Sequence, residues 1–322
     1  MNICIINQNL NSMKKIFLFS VVIIAATCCY GQKIYHASLL IDAKAGVGET
    51  PFWHPGEKKL YWIDVDKKTL NTFDPVSKSE NHFSLEKMPG TVVPIDTGGV
   101  VVALRDGVYT LNLKTNAFKL LVAPEKDLPD NWLNDGKCDP AGRFWVGSMG
   151  PKYKASLYRI NSSGKCDKML ASITISNGIV WSLDNTKMYY IDSPTMEVRQ
   201  FDYDNSTGNI SNPKAVIKFP EGVGSPDGMA IDTNGKLWIA HWGGACVSCW
   251  DPNTGKMIAK VEVPAQNVTA CAFGGKNLET LYITTTSLFT DEASQKKFPN
   301  RGGVFVVNTG AKGIPTNYFK TK

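Results

Sequence analysis

Three short stretches of the chain set a hard oxygen donor among turn-forming residues: Gly48-Glu49-Thr50-Pro51, Ser176-Asn177-Gly178 and Pro226-Asp227-Gly228. Each stands just before a strand-favouring run, Phe52-Trp53, Ile179-Val180-Trp181 and Met229-Ala230-Ile231, so all three can share one rim of a sheet-built protein. A fourth stretch, Leu133-Asn134-Asp135-Gly136, precedes Lys137-Cys138-Asp139 in the same way. Asp227 draws most weight, because an acid held between Pro226 and Gly228 at the mouth of a strand sits where the chain must turn. Taken singly, each stretch reads better as a tight turn or a surface acid than as a ligand. No nucleophile competes with them: a G-x-S-x-G elbow is missing, and the cysteines have no histidine close by in sequence.

These residues need a scaffold, and an internal period supplies it. Similar units begin at Lys59-Leu60-Tyr61-Trp62-Ile63-Asp64, Gly99-Val100-Val101-Val102-Ala103, Gly142-Arg143-Phe144-Trp145-Val146-Gly147, Lys187-Met188-Tyr189-Tyr190-Ile191-Asp192, Gly235-Lys236-Leu237-Trp238-Ile239-Ala240 and Glu279-Thr280-Leu281-Tyr282-Ile283-Thr284. Starts spaced roughly 40 to 48 residues apart have the period of a four-stranded propeller blade. A second strand theme follows most of them, as in Leu157-Tyr158-Arg159-Ile160-Asn161 and Val198-Arg199-Gln200-Phe201-Asp202. The expectation is an all-β, six-bladed β-propeller, its blades packed through apolar and aromatic side chains. The segment Lys33 to Ile41 is expected to lend a strand to the last blade and so close the ring.

Residues 1–31 read separately. Met13-Lys14-Lys15, the run Ile16 to Ala26 and small residues up to Gly31 have the three parts of a secretory signal, with Met13 as an alternative start. The run is short of the roughly 20 apolar residues that span a bilayer. The reading is therefore an exported protein, periplasmic or secreted by a bacterial route, with no stable membrane insertion once the signal is removed and one domain over 32–322. Cleavage removes two lysines and no acids, taking the formal charge from +6 to +4. That is too weak and dispersed to argue for a nucleic-acid partner. It also leaves five of eight cysteines, an odd number that makes no complete disulfide framework. Cys246-Val-Ser-Cys249 lacks the second pair of a zinc ribbon and reads as strand filling.

The phrases GETPFWHP (48–55), LYWIDV (60–65), NDGKCDPAGRFWVGSM (134–149), ISNGIVWSLDNTKMYYIDS (175–193), PDGMAIDTNGKLWIA (226–240) and FGGKNLETLYITT (273–285) resemble, in order and spacing, the SMP-30/gluconolactonase/regucalcin family of six-bladed propellers. The resemblance covers nearly all of 32–322. It implies a central metal site, with one divalent metal ion held by Glu49, Asn177 and Asp227. Two carboxylates and an amide oxygen suit a hard cation, calcium foremost, with zinc, manganese or magnesium as alternatives. It further implies hydrolysis of a small-molecule lactone, with Asp227 as general base and Asn134 hydrogen-bonding near metal and substrate.

Two departures bear on the substrate. The family's arginine two positions before the asparagine is Trp132 here, and a glutamate in the loop after GSM is replaced by the short, acid-free Gly150-Pro151-Lys152-Tyr153-Lys154. Trp132 is expected either to stack on a sugar ring or apolar lactone or to shield the channel. His241, at a strand end, is a candidate substrate contact or auxiliary base. The alternatives to a sugar lactonase are a calcium-binding propeller without turnover and a metal-dependent hydrolase of other activated esters such as organophosphates.

Overall fold

The computed structural model describes residues 32–322, and the expected signal peptide lies outside them. These residues form six separate sheets, each running from an inner to an outer strand, so the fold is the expected six-bladed β-propeller. Blade 1 comprises Gly48–His54, Lys59–Asp64, Thr69–Phe73 and Glu80–Ser84. Blades 2 to 6 open on the inner strands Pro89–Pro94, Trp132–Cys138, Ser176–Trp181, Ser225–Ile231 and Val268–Gly274. The six inner strands touch in a closed ring, blade 6 returning to blade 1, and line a central channel.

Local chemistry explains the hairpins. In the DTNG turn of blade 5, Asp232 accepts from the backbone N–H of Asn234 and Lys236 and from the indole N–H of Trp238 at 2.9 Å. The equivalent DPAG turn of blade 3 repeats it, with Asp139 accepting from Arg143 and, at 2.9 Å, from Trp145. One carboxylate thereby shapes a turn and fixes the rotamer of a tryptophan that packs between blades. Trp145 meets Trp181 of blade 4 edge-on at 5.9 Å, and both approach Tyr203. Such contacts add about 0.5–1.5 kcal/mol each beyond area burial.

Closure is more elaborate than the sequence suggests. The segment Lys33 to Ile41 divides: Ser38–Ile41 pairs with Val304–Asn308 and completes blade 6, while Lys33–His36 pairs in parallel with Lys256–Glu262 as a fifth, outermost strand of blade 5. The N-terminal end of the described chain thus staples two neighbouring blades. The carboxyl end adds a feature that the repeat pattern does not announce. After blade 6 the chain crosses one face of the propeller, pairing Gly313 with Asp232, donating from Thr316 Oγ1 to Trp53 O and from Asn317 Nδ2 to Cys138 O, and burying Phe319 beside Ile95. It therefore touches blades 1, 2, 3 and 5. Among the described residues no helix is long and apolar enough to cross a membrane.

The inner strands share one irregularity. Glu49 and Phe52, three residues apart, pair with Ile63 and Tyr61, two apart, so one extra residue is inserted. The same step occurs at Leu133/Gly136, Ser176/Ile179 and Pro226/Met229, and a related shift at Pro89/Thr91 and Val268/Ala270. A bulge re-aims side chains and releases ladder groups. Here every bulge lies near the same end of its strand.

Candidate functional site

The four oxygen-bearing motifs lie at those bulges. Glu49, Asn134, Asn177 and Asp227 belong to the first residues of inner strands, whereas the sequence pattern places them in loops before the strands. The correction has a physical cause: the glycine close to each donor, with a proline as well at Glu49 and Asp227, serves a bulge within a paired strand instead of a free turn. The glycines also let the strands converge. A Cβ on Gly178 would stand 2.7 Å from the carbonyl oxygen of Asp227, and one on Gly228 would stand 2.5 Å from the Cβ of Ala270. Thr50 carries positive φ (41°), unusual for a β-branched residue, and turns the chain directly after Glu49.

A hydrogen-bonded chain runs around this mouth of the channel. Asn134 Nδ2 donates to Ser176 O at 2.8 Å and to Asn177 Oδ1 at 2.9 Å. Asn177 Nδ2 donates to Ser193 Oγ at 2.8 Å, and Ser193 Oγ donates to Pro226 O at 2.6 Å. Both ends of the Asn177 amide are thus specified, and its oxygen keeps one lone pair beyond the bond from Asn134. The chain links blades 3, 4 and 5 and ends beside Asp227. Glu49 is fixed from blade 1, its Oε2 accepting from Thr50 N at 3.0 Å.

The electrostatics are those of crowded, desolvated acids. Burial, with Asp135 adding repulsion, pushes the Glu49 carboxyl up to about 8. Burial and the charges of Glu49 and Asp135 push Asp227 well above the usual carboxylate range. Asp135 is itself raised by burial, opposed by Lys137. Among the described residues no lysine or arginine acts appreciably on Glu49 or Asp227. The ammonium of Lys137, next along the channel, donates to Met229 O. Two buried carboxyl groups that favour their protonated forms, beside an oriented amide oxygen, make an all-oxygen pocket open on the channel, since Glu49 retains partial exposure. Among the described residues no cluster contains three or more His, Cys, Asp or Glu side chains placed to hold a metal. The set Glu49, Asn177 and Asp227 has two such residues and an amide.

The remaining candidates separate. Trp132 is half-buried, two residues before Asn134 at the start of the same strand. The Arg105 guanidinium, from the hairpin of blade 2, lies 5.9 Å over its ring. His241 is not brought to the channel. It is 1% exposed, its Nε2 meets Ser248 Oγ at 2.5 Å, and Phe219 packs edge-on against it at 5.3 Å, so the structure makes it an interior residue between blades 4 and 5. The reason is strand order, for His241 lies on the second strand of its blade, one step from the channel wall. Asp135, Lys137, Ser193 and Arg105 belong to this region and were not singled out from sequence. Asp135 and Ser193 stand inside quoted motifs, NDG and IDS, whereas nothing local marks Arg105.

A six-bladed propeller whose bulged inner strands gather buried acids and amides at one channel mouth defines the class. The chain belongs to the SMP-30/Gluconolactonase/LRE-like family, whose pattern matches residues 47–287. It is 38% identical over 273 residues to "Putative sugar lactone lactonase YvrE" of Bacillus subtilis, covering 84% of this chain and 93% of that one. It is also 38% identical over 282 residues to regucalcin of Danio rerio, covering 86% and 95%. Among solved structures it is similar to a luciferin-regenerating enzyme, with TM-score 0.83, 32% identity and coverage of 88% of this chain and 99% of the other. The calcium-binding protein regucalcin of Agrobacterium tumefaciens gives 0.84, 27%, 89% and 99%.

Proposed function

We propose that this chain hydrolyses a sugar lactone at the bulged mouth of its channel, with Glu49, Asn177 and Asp227 holding one divalent cation, calcium foremost. One observation carries the reading: Glu49 and Asp227 are buried acids, the first raised by burial and Asp135, the second by burial, Glu49 and Asp135, beside the Asn177 amide whose oxygen accepts from Asn134 and whose nitrogen donates to Ser193. The donor chemistry fits a hard cation, and the charge of the two carboxylates would balance it. Family membership supports activity of the lactonase or esterase type, and the names of relatives, a sugar lactone lactonase and regucalcin, support the finer choice.

The bound cation would supply polarisation of the lactone carbonyl and stabilisation of the developing oxyanion. The chain's own residues do the rest. Asp227 takes a proton from the attacking water as its oxygen bonds to the acyl carbon. The ring C–O bond then breaks and Asp227 returns the proton to the departing alkoxide, so one water is added and a hydroxy acid leaves. Asn134 holds Asn177 in register, its two amide hydrogens going to Ser176 O and Asn177 Oδ1. Trp132 and Arg105 form an aromatic and cationic shoulder for the part of the substrate away from the ester. We further propose that residues 1–31 direct export; recovery of protein from the periplasm beginning after Gly31 tests that.

The deciding measurement follows acid release with a pH indicator over five- and six-membered lactones, with calcium or with chelator, in wild type and Asp227→Ala. Turnover that needs the cation and vanishes in the variant is expected. Calcium binding without turnover of any lactone would leave a binding propeller, and turnover confined to phosphotriesters would move the activity to other activated esters.

A further inference from the structure

Each blade joins its second and third strands at the end of the propeller that carries the bulges. Five blades do so by short turns, whereas residues 286–303 of blade 6 form a long loop that includes the short helix Glu292–Lys297. The loop begins beside the strand of Glu49. Thr286 bridges Val47, two residues before Glu49, and its Oγ1 donates to Gly46 O. From blade 5, Trp242 pairs with Ser225, two residues before Asp227, and packs on Phe289 of the loop with ring centroids 5.7 Å apart.

One buried side chain fixes this contact. Asn267, 2% exposed, accepts from Gly243 N at 3.0 Å and donates from Nδ2 to Phe289 O at 3.1 Å, so the turn after Trp242 and the backbone of Phe289 share one amide. Phe289 has a φ of 57°, a left-handed backbone that a bulky residue adopts only where its surroundings hold it there. Its ring nevertheless stays 72% exposed, and that of its neighbour Leu288 39% as a residue. The strain is not repaid by core packing, and strain of this kind gathers at ligand clamps. The blades also follow one another around the ring, so blades 5 and 6 stand across the channel from blades 2 and 3, which carry Arg105 and Trp132.

We propose that Trp242, Leu288 and Phe289 are specificity residues of the mouth, an apolar shelf that takes the alkyl or aryl arm of a lactone whose ring lies at Glu49, Asn177 and Asp227. The assignment rests on the lactonase reading of that mouth and names a substrate class within it, a lactone bearing one apolar substituent. An arm that leaves the ring toward blades 5 and 6 covers the shelf, and both surfaces lose water, so binding strengthens with the area of the arm. Polar substituents are left to the Arg105 and Trp132 shoulder on the other side.

Two lactones that share one ring test it. In millimolar calcium, kcat/KM for γ-nonalactone, which carries a pentyl arm, is expected to exceed that for γ-butyrolactone, which carries none, by roughly tenfold or more. Phe289→Asn, an exchange that suits the left-handed backbone, should cut that ratio to about threefold or less, and Trp242→Ala should do likewise. Titration calorimetry with 5-pentyl-2-pyrrolidinone and 2-pyrrolidinone, the matching lactams, reads the same preference without turnover. A preference that persists in both variants, or a pentyl arm that gains nothing with the lactams, overturns the shelf even where γ-butyrolactone is opened. A pentyl-lactam preference that Phe289→Asn abolishes, in a protein that opens neither lactone, supports the shelf and tells against the lactonase reading alone.

Discussion

The side-chain amide of Asn134 donates to Oδ1 of Asn177 at 2.9 Å, so blade 3 sets the orientation of a donor that blade 4 carries. Ser193 completes the arrangement by accepting from the other end of the same amide at 2.8 Å. Removing either partner frees the Asn177 amide to rotate without removing a donor of the proposed cation site. Asn134→Ala and Ser193→Ala should each weaken calcium binding about 10- to 100-fold, the range for groups that orient ligands. Titration calorimetry of calcium into chelator-stripped protein checks this, and unchanged affinity in both variants would break the link between the network and the cation.

The raised acids predict a pH signature in protein freed of metal. Glu49 is pushed from 4.5 to about 8, so the folded protein holds a proton that the unfolded chain releases. The stability this contributes is full below pH 4.5 and is lost as pH rises through 8. Chelated protein should therefore melt lower at pH 8 than at pH 6, with Asp227 acting in the same direction. Glu49→Gln should flatten that slope, and millimolar calcium should abolish it in wild type. Calorimetric melting across pH, with and without calcium, gives the answer.

How far the residues announce this molecule depends on the range of the interaction. The six-fold period is legible because every blade spends its own turn acids and tryptophans locally, as Asp232 and Trp238 do. Glu49, Asn177 and Asp227 are legible through their Pro and Gly neighbours, although those neighbours encode bulges. His241 misleads, since its place at a strand end says nothing about whether that strand is first or second from the channel. Arg105 is invisible, because it reaches Trp132 from a different blade. The crossing by residues 313–321 follows no repeat, and only its long-range partners define it.

Arg105 over Trp132 predicts a split in kinetics. The guanidinium lies over the Trp132 ring, at the start of the strand that carries Asn134, so in the proposed reaction it is expected to hold substrate before and during turnover alike. Arg105→Ala should raise KM for a polyol lactone several-fold and leave kcat within about twofold, as expected when uniform binding is lost. Trp132→Ala removes the stacking surface as well and should raise KM further. A fall in kcat with unchanged KM would place Arg105 in the chemical step instead.

Phe319 ties the crossing segment to the core. It is 1% exposed beside Ile95, Val93 and Leu133, and its backbone pairs with Pro94 and Asp96. Truncating a buried phenylalanine costs roughly 3–5 kcal/mol. Phe319→Ala should therefore lower the urea midpoint at unchanged slope, whereas Phe319→Leu should recover most of the loss. A near-neutral Phe319→Ala would mean that the segment is a loose strap that contributes little to folding.

His241 yields a pH dependence on the acid side, opposite in sense to Glu49. Burial lowers its pKa from 6.5 to about 4, and the ring stays neutral between Ser248 and Phe219. The unfolded chain therefore binds a proton there that the folded protein refuses. Stability from this residue is full above pH 6.5 and is lost as pH falls toward 4, by roughly 3 kcal/mol at most, since each unit is worth about 1.4 kcal/mol. His241→Gln keeps a polar group near Ser248 but cannot be protonated, so its stability should fall less steeply between pH 6.5 and 4 than that of wild type. Lactone turnover at pH 7.5 should be nearly equal in the two proteins, because the residue does not reach the channel. Parallel stability profiles would show that His241 does not set the acid limit, and a large loss of turnover in a folded His241→Gln protein would return it to the reaction.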